Sequence, residues 1–200
     1  MAFNRTFSVT IEGSSPMMIR KFTDAAAMDA TSGTRKSTVG ESLTPYEDAD
    51  SGLYKDSEGN AVLPQPNLFR CIIDAGAFMK IGKKQISTQK TSLVPACVCI
   101  NELFIRIQHK EPWTVDSRPV RIPSTGGRIL RHRPMFNDWK LSFTMMLDDS
   151  VMSAKILRQL VDIAGSMIGL GEFRPACKGP YGRFVVTSWK EVEKEVAIAG

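Results

Sequence analysis

The sequence is short of the residues that build disulfide scaffolds and metal sites. Its 200 residues include only four cysteines and two histidines. Cys97 and Cys99 are one residue apart, whereas paired zinc ligands are usually separated by about two to four residues. Neither histidine lies in a second ligand pair. We therefore expect reduced thiols on buried strands, and neither a metal nor another cofactor.

Long apolar runs are also missing. No stretch approaches the roughly 20 apolar residues that a membrane-spanning helix needs. Met1–Thr6 leads directly into alternating polar and apolar residues, unlike a signal peptide. With 42% hydrophobic and 24% charged residues, the composition predicts one globular domain over 1–200, cytoplasmic and without a membrane partner.

Charge is distributed unevenly along the chain, although the net charge of +5 is modest. Between Asp24 and Glu58, eight acidic residues stand against three basic ones. Between Lys80 and Lys140, twelve basic residues stand against four acidic ones. The first region has few large apolar residues, and we interpret 24–60 as a polar, acidic insertion. The second favours acidic partners.

Hydrophobic periodicity predicts four strands and two helices. The expected strands are Arg5–Glu12, Leu93–Gln108 with a bend at Asn101–Glu102, Lys140–Leu147 and Arg183–Trp189. The expected helices run from the Pro64–Asn67 start to Gly82 and, after a cap at Asp148–Ser150, from Val151 to Ile168. The order is βαββαβ. We therefore predict an α+β, ferredoxin-like fold, with an antiparallel sheet and both helices on one face.

An arginine-rich hairpin is expected over 114–138, between the second and third strands, because Pro123–Gly127 is a turn signal. It carries five arginines: Arg118, Arg121, Arg128, Arg131 and Arg133. Guanidinium groups suit bidentate phosphate contacts and base stacking, which favours a nucleic-acid ligand. The alternative is a solvated hairpin that pairs with acidic residues of a neighbouring subunit.

A glycine-rich segment follows the second predicted helix. Gly169 and Gly171 permit positive φ and close backbone approach, and Arg174, Lys178 and Arg183 surround them with positive charge. The segment follows a helix and contains no Gly-Lys-Ser/Thr, so it is not a nucleotide-binding P-loop. A sharp turn into an edge strand would explain the glycines but not the cations.

Ile168–Pro175, followed by Gly179–Phe184, resembles the C-terminal glycine-rich loop of the RAMP superfamily, the ferredoxin-like proteins of CRISPR effector complexes. Leu63–Arg70 is similar to the entry into that family's first helix, although Asn67 replaces the usual hydroxyl residue and the basic residue is shifted. The arginine hairpin stands where backbone subunits carry a thumb that wedges into guide RNA. A stand-alone phage or mobile-element relative fits equally well.

The resemblance implies a non-catalytic protein that assembles head to tail along single-stranded nucleic acid, RNA in preference to DNA, with further copies or other effector subunits as partners. The residues expected to bind the strand are Arg20, Lys21, Arg70, Lys83, Lys84, Arg118, Arg121, Arg128, Arg131, Arg133, Gly169, Gly171, Arg174, Lys178 and Arg183. The alternative is a homo-oligomeric structural or phage-assembly protein without nucleic acid. In it, the hairpin docks on the acidic insertion of a neighbour.

Ribonuclease activity is the third hypothesis, because some RAMP proteins cut RNA. Processing members often use a histidine, and this chain offers His109 and His132. Target-cutting subunits carry an aspartate after the first strand, where Asp24 and Asp29 are the candidates. His132 has no evident carboxylate partner, and polar insertions commonly carry aspartates for solubility. We therefore expect no catalytic residues.

Overall fold

A computed structural model describes residues 3–21, 43–121 and 126–192 of the chain. Its strands are β1 (Arg5–Gly13), β2 (Met17–Met18), β3 (Val62–Pro64), β4 (Lys80–Ile81), β5 (Lys84–Gln85), β6 (Val98–Ile100), β7 (Phe104–Arg106), β8 (Thr114–Arg121), β9 (Arg128–Phe136), β10 (Lys140–Leu147) and β11 (Phe184–Val192). Its helices are α1 (Pro45–Ser51), α2 (Gln65–Ala75), α3 (Val94–Cys97) and α4 (Ala154–Ile163). The predicted α+β class is confirmed.

The central sheet has the strand order β11-β1-β10-β6, and each neighbouring pair is antiparallel. Strand β1 alternates as predicted, with Phe7, Val9 and Ile11 buried. Val9 lies opposite Phe143 of β10, so the apolar residues of both strands share one face. The other face is polar, which leaves one side of the sheet to be covered.

Helices α2 and α4 contact each other and cover that apolar face. Leu68 and Ile72 of α2 are fully buried there, as are Leu157 and Val161 of α4. Their spacing of four residues places each pair on one side of its helix, as the sequence predicted. Helix α4 continues into a π-helical turn at Ala164–Ile168.

The predicted bounds of the first helix are wrong at its C-terminus. Helix α2 ends at Ala75, where Gly76 packs so closely on Ser87 that a Cβ would lie 2.3 Å from the hydroxyl oxygen. Gly82, at φ 60°, makes the turn between β4 and β5 instead of ending the helix. Asn67 lies within the first turn and does not cap it.

The predicted cap of the second helix is also displaced. Ser153 caps α4, and its hydroxyl accepts the Ile156 N–H at 3.4 Å. Asp148 instead closes the preceding turn, where its carboxylate accepts a 2.5 Å hydrogen bond from the Ser150 hydroxyl. Residues 148–153 contain several residues of types that cap helices, and their spacing alone did not show which of them caps α4.

The single strand predicted for Leu93–Gln108 is wrong, because this segment forms α3, β6 and β7. Strand β6 pairs with β10, whereas β7 pairs with β3 in a separate two-stranded sheet. The break falls at the predicted bend, where the Glu102 carboxylate accepts the Thr144 N–H at 2.9 Å. The Glu102 side chain thus occupies the position of a backbone hydrogen-bond partner, and the pairing of β6 with β10 ends there.

The predicted hairpin is confirmed. Strands β8 and β9 pair over their whole lengths, and β2 joins the outer side of β9 to give a three-stranded sheet in the order β2-β9-β8. Residues 122–125, at the predicted turn, lie outside the described residues. Among the described helices, none is both long and apolar enough to cross a bilayer.

Leu141→Ala tests the central core. Leu141 is fully buried, so its truncation should lower the free energy of unfolding by about 2 to 5 kcal/mol. Leu103→Ala is the matched control, because that side chain is 76% exposed and should change stability by less than about 0.5 kcal/mol. Urea unfolding at equilibrium measures both, and equal losses would contradict the assigned core.

Candidate nucleic-acid interface

The register of the hairpin places arginines directly opposite each other. Arg118 lies opposite Arg131, and Arg121 lies opposite Arg128. Because side chains alternate along a strand, these two pairs project from opposite faces of the hairpin. Arg133 differs, since its cross-strand partner is Asp116.

Arg118 is held by two side chains. Its Nε donates to Asp116 Oδ1 at 2.7 Å, and its Nη2 donates to the Tyr181 hydroxyl at 2.5 Å. Its guanidinium carbon also lies 5.2 Å from the centre of the Tyr181 ring. The hydrogen bond to Tyr181 is the main cause that raises the pKa of Arg118. Asp116 is buried, so Arg118 supplies the charge that compensates it.

Arg133 and Arg20 are structural cations, each with only 14% of its side chain exposed. Arg133 donates through Nε to the Glu172 carboxylate of the glycine-rich segment. Arg20 pairs with Asp48 of α1 at 2.9 Å and donates to the His132 carbonyl at 2.5 Å. These two arginines fasten the glycine-rich segment and α1 to the hairpin.

The environment of Asp48 agrees with this role. Partial burial by itself raises its pKa, but the hydrogen bond and the charge of Arg20 outweigh burial. The pKa of Asp48 therefore lies below its ordinary value. The carboxylate stays ionised at neutral pH and, through Arg20, holds α1 against β9.

Arg121, Arg128 and Arg131 form a different group. None of them makes an ion pair with a residue that the structure describes. Arg121 and Arg128 are exposed, and Arg131 is half-buried. Like charges directly opposite each other in a sheet are destabilising, so a bound anion at this end of the hairpin would relieve the repulsion.

The glycines of the C-terminal segment serve the packing of its backbone. Gly169 and Gly171 both have φ 75°, as the sequence analysis expected of them. A Cβ on Gly171 would lie 2.1 Å from the Met18 carbonyl oxygen. The N–H of Glu172 donates to that same oxygen at 2.7 Å. The close approach is therefore to the protein's own backbone.

Cys71 closes the inner side of this segment. Its thiol donates to the Gly169 carbonyl at 3.3 Å and to the Ala164 carbonyl at 3.5 Å. Burial raises the pKa of the thiol to about 12, so it remains neutral at physiological pH. Cys71 is a packing residue between α2 and the turn that follows α4.

Two cavities flank the glycine-rich segment and share Glu172 and Arg174. The smaller, of about 190 Å³, adjoins β2 and α2, and the larger, of about 470 Å³, adjoins the hairpin. Together they collect eight residues expected from the sequence: Arg20, Arg70, Gly169, Gly171 and Arg174 around the smaller, and Arg118, Arg121, Arg133 and again Arg174 around the larger. Arg174 is positioned by a 3.0 Å hydrogen bond to the Gly171 carbonyl. The two cavities form the arginine groove.

The other expected site residues lie outside the arginine groove. Arg128 and Arg131 are further along the hairpin, and Lys83 and Lys84 are exposed at the β4–β5 turn. Lys21 is half-buried beyond β2, whereas Lys178 and Arg183 are exposed on the far part of the glycine-rich segment. The structure therefore divides the predicted set between the groove, the hairpin and separate surfaces.

Of the candidate catalytic residues, the structure describes the two histidines. His132 Nδ1 lies 2.7 Å from the Ser117 hydroxyl, and His109 Nδ1 lies 2.8 Å from the Glu111 carbonyl oxygen. Asp24 and Asp29 lie outside the described residues. Within the described ranges, no group of three or more His, Cys, Asp or Glu residues is arranged to hold a metal.

Sequence reasoning missed the aromatic side chains beside the arginines. Phe173 lines the larger cavity, and the centre of its ring lies 6.1 Å from the centre of the Tyr181 ring. Tyr46 of α1 stacks on Trp113 at 4.7 Å, beside a separate open cavity of about 820 Å³. The sequence position of Tyr181, within Gly179–Gly182, could have indicated an aromatic residue on a turn.

The fold has a counterpart among solved structures. One chain of the cryo-EM structure of the Type III-B Cmr-beta bound to cognate target RNA aligns with a TM-score of 0.55. The sequences are 12% identical, and the alignment covers 94% of this chain and 61% of that chain. At this identity the likeness is one of fold. The sequence matches no protein-family model and no curated protein.

Gly171→Ala tests the contact between the glycine-rich segment and β2. It combines positive φ with a clash against the Met18 carbonyl, so it should cost about 3 kcal/mol of stability. Gly59→Ala is the matched control, because Gly59 has φ 83° but open space around it, and about 1 kcal/mol is expected. Urea unfolding compares them, and equal costs would argue against the tight contact.

Proposed function

We propose that this protein binds single-stranded nucleic acid, RNA in preference to DNA, without cleaving it, as a relative of the RAMP subunits of CRISPR effector complexes. The observation that carries the proposal is the presence of two pairs of directly opposed arginines, Arg118 with Arg131 and Arg121 with Arg128. Three of these four arginines lack an ion-pair partner in the described part of the chain. A phosphate backbone supplies the missing negative charge.

The energetics of the hairpin support an anionic partner. Cross-strand neighbours lie about 5 Å apart at Cβ, where unscreened like charges repel. Arg121 and Arg128 thus reduce the stability of the hairpin in the free protein, and neither contributes to the hydrophobic core. Residues that cost stability and contribute no packing are characteristic of binding sites. Guanidinium groups also contact phosphate oxygens in a bidentate manner.

The fold supports the relationship to RAMP proteins. By position among the four central strands, the sheet order is fourth, first, third, second; α2 lies in the connection from β1 to β6, and α4 lies in the connection from β10 to β11. We infer the ferredoxin-like arrangement from this order. Strand β6 has only three residues, and the small sheets are additions to that plan. The chain with the similar fold belongs to a structure described as bound to cognate target RNA.

A non-catalytic role agrees with the surroundings of the two histidines. His132 is half-buried, contacts a serine hydroxyl and sits between two arginines, and His109 contacts a backbone carbonyl. Among the described residues, neither has a carboxylate as a hydrogen-bond partner to support acid–base catalysis. We assign the hairpin to binding and no residue to catalysis.

Removing the unpaired arginines should weaken binding and its salt dependence. In Arg121→Ala/Arg128→Ala/Arg131→Ala, three phosphate contacts are lost, so affinity for single-stranded RNA should fall more than about tenfold. The slope of log K against log salt should become shallower by about 2, since each contact on a single strand contributes roughly 0.7. Fluorescence anisotropy with a labelled oligonucleotide measures both quantities.

The charge-matched control is Lys90→Ala/Lys155→Ala/Lys190→Ala, which removes three exposed lysines that lie outside the hairpin and outside the predicted site. It should leave the affinity and the slope close to those of the wild type. Arg133 is kept in all variants, because removing it would leave Glu172 unpaired and weaken the fold. Equal losses in both triple variants would mean that net charge, and not the hairpin, determines binding.

We further propose head-to-tail assembly along the strand, with several copies on one nucleic acid. Light scattering should then show a particle mass that grows in steps with oligonucleotide length and returns to that of the free protein after nuclease treatment. Large particles free of nucleic acid, judged by the 260/280 nm absorbance ratio, would instead support the homo-oligomer in which the hairpin docks on a neighbour's acidic insertion. The mass of a single copy on every oligonucleotide length would contradict both assemblies.

A further inference from the structure

Phe173 has an unusual backbone and an unusual exposure for an aromatic residue. Its φ is 49°, and 47% of the residue is exposed. Lys178 is the other described non-glycine residue with positive φ. A bulky side chain in this conformation is strained, and such strain persists where the surrounding structure enforces it, commonly at binding sites.

The rest of the glycine-rich segment holds Phe173 in place. Its carbonyl accepts the Tyr181 N–H at 3.3 Å. Gly179 packs against the same carbonyl so closely that a Cβ would lie 1.7 Å from the oxygen. The Phe173 ring lies 6.1 Å from the Tyr181 ring, which in turn binds Arg118. The ring is therefore fixed beside the hairpin while part of its surface stays open.

The cavity beside this ring is lined by both apolar and cationic residues. Its apolar lining includes Met18, Pro119, Val120 and Phe173, and its volume is about 470 Å³. This volume falls within the roughly 300 to 1,000 Å³ typical of small-molecule pockets. The lining therefore suits a flat apolar group of modest size.

The charged lining of the cavity carries a net positive charge. Its lining includes Arg118, Arg121, Arg133 and Arg174 together with Glu172. Glu172 is neutralised by Arg133, and Asp116 by Arg118, so Arg121 and Arg174 remain without an ion pair among the described residues. A planar base with an attached phosphate matches an aromatic side chain beside guanidinium groups that have no ion pair among the described residues.

We infer that the Phe173 cavity receives one unstacked nucleobase of the bound strand, which stacks on the Phe173 ring while its phosphate contacts Arg121 and Arg174. This inference rests on the proposed function and adds a stacking residue to it. Base–aromatic stacking is tolerant of sequence, because every base has a π-face. The cavity would therefore fix the position of the strand without selecting its sequence.

The test uses the full chain and a labelled single-stranded RNA that carries 2-aminopurine at one position, moved along the strand in successive oligonucleotides. Phe173→Ala should weaken binding about tenfold, as expected for the loss of one base–aromatic stack. The salt slope should not change, because no phosphate contact is removed. At one or more positions, the 2-aminopurine fluorescence change seen with the wild type should disappear.

Two further variants separate the ring from the fold. Phe173→Gly relieves the positive φ and should keep the thermal midpoint while it loses affinity, and Phe173→Tyr should restore binding. Phe78→Ala is the matched control, because Phe78 is 54% exposed and does not line this cavity. It should bind like the wild type.

The outcomes distinguish this inference from the proposed function. If Phe173→Ala and Phe173→Gly bind as tightly as the wild type while the triple arginine variant is weakened, the base pocket is overturned and nucleic-acid binding stands. That result would also be expected if an apolar side chain of a protein partner occupies the cavity. If the wild type binds no oligonucleotide, both proposals fail.

Discussion

The contact between the glycine-rich segment and strand β2 fixes the arginine hairpin relative to the central sheet. Gly171 packs on the Met18 carbonyl, and the next residue, Glu172, donates its N–H to the same oxygen. The Glu172 carboxylate then accepts a hydrogen bond from Arg133 of the hairpin. Because β2 also pairs with β9, the hairpin base moves only if backbone hydrogen bonds and a half-buried ion pair break together. The position of the hairpin relative to the glycine-rich segment, and with it the arginine groove, depends on these contacts.

The parts of the fold that the sequence predicted best are those where one local pattern decides the structure. Period-two alternation located β1 and β10, because each has one buried and one polar face. The prediction of one strand over 93–108 was wrong because composition contains no information on which strand a segment pairs with. The carboxylate of Glu102 ends the pairing of this segment with β10. Helix α1 was missed although Thr44 and Glu47 form a capping box, since the polar composition around it dominated the interpretation.

The sequence predicted the arginines of the candidate site, but it did not predict what each of them contacts. The hairpin and its five arginines were found from the sequence, but they serve two opposite energetic purposes. Arg133 compensates Glu172, which is 39 residues away, whereas Arg121 faces another arginine. Local spacing contains no information on such distant partners. The same limit hid Phe173, whose importance comes from a backbone angle and from its contact with Gly179.

The described part of the acidic insertion, residues 43–60, changes the interpretation of its charge. All of its acidic side chains accept hydrogen bonds within the chain: Glu47, Asp48, Asp50, Asp56 and Glu58. Asp48 and Asp50 pair with the cations Arg20 and Lys55, and the other three carboxylates accept hydrogen bonds from neutral groups. A neighbour's Arg121, Arg128 and Arg131 would therefore have to compete with these contacts. A single strand offers one phosphate per nucleotide without first breaking any of these bonds, and for that reason we favour nucleic acid over an acidic protein segment as their partner.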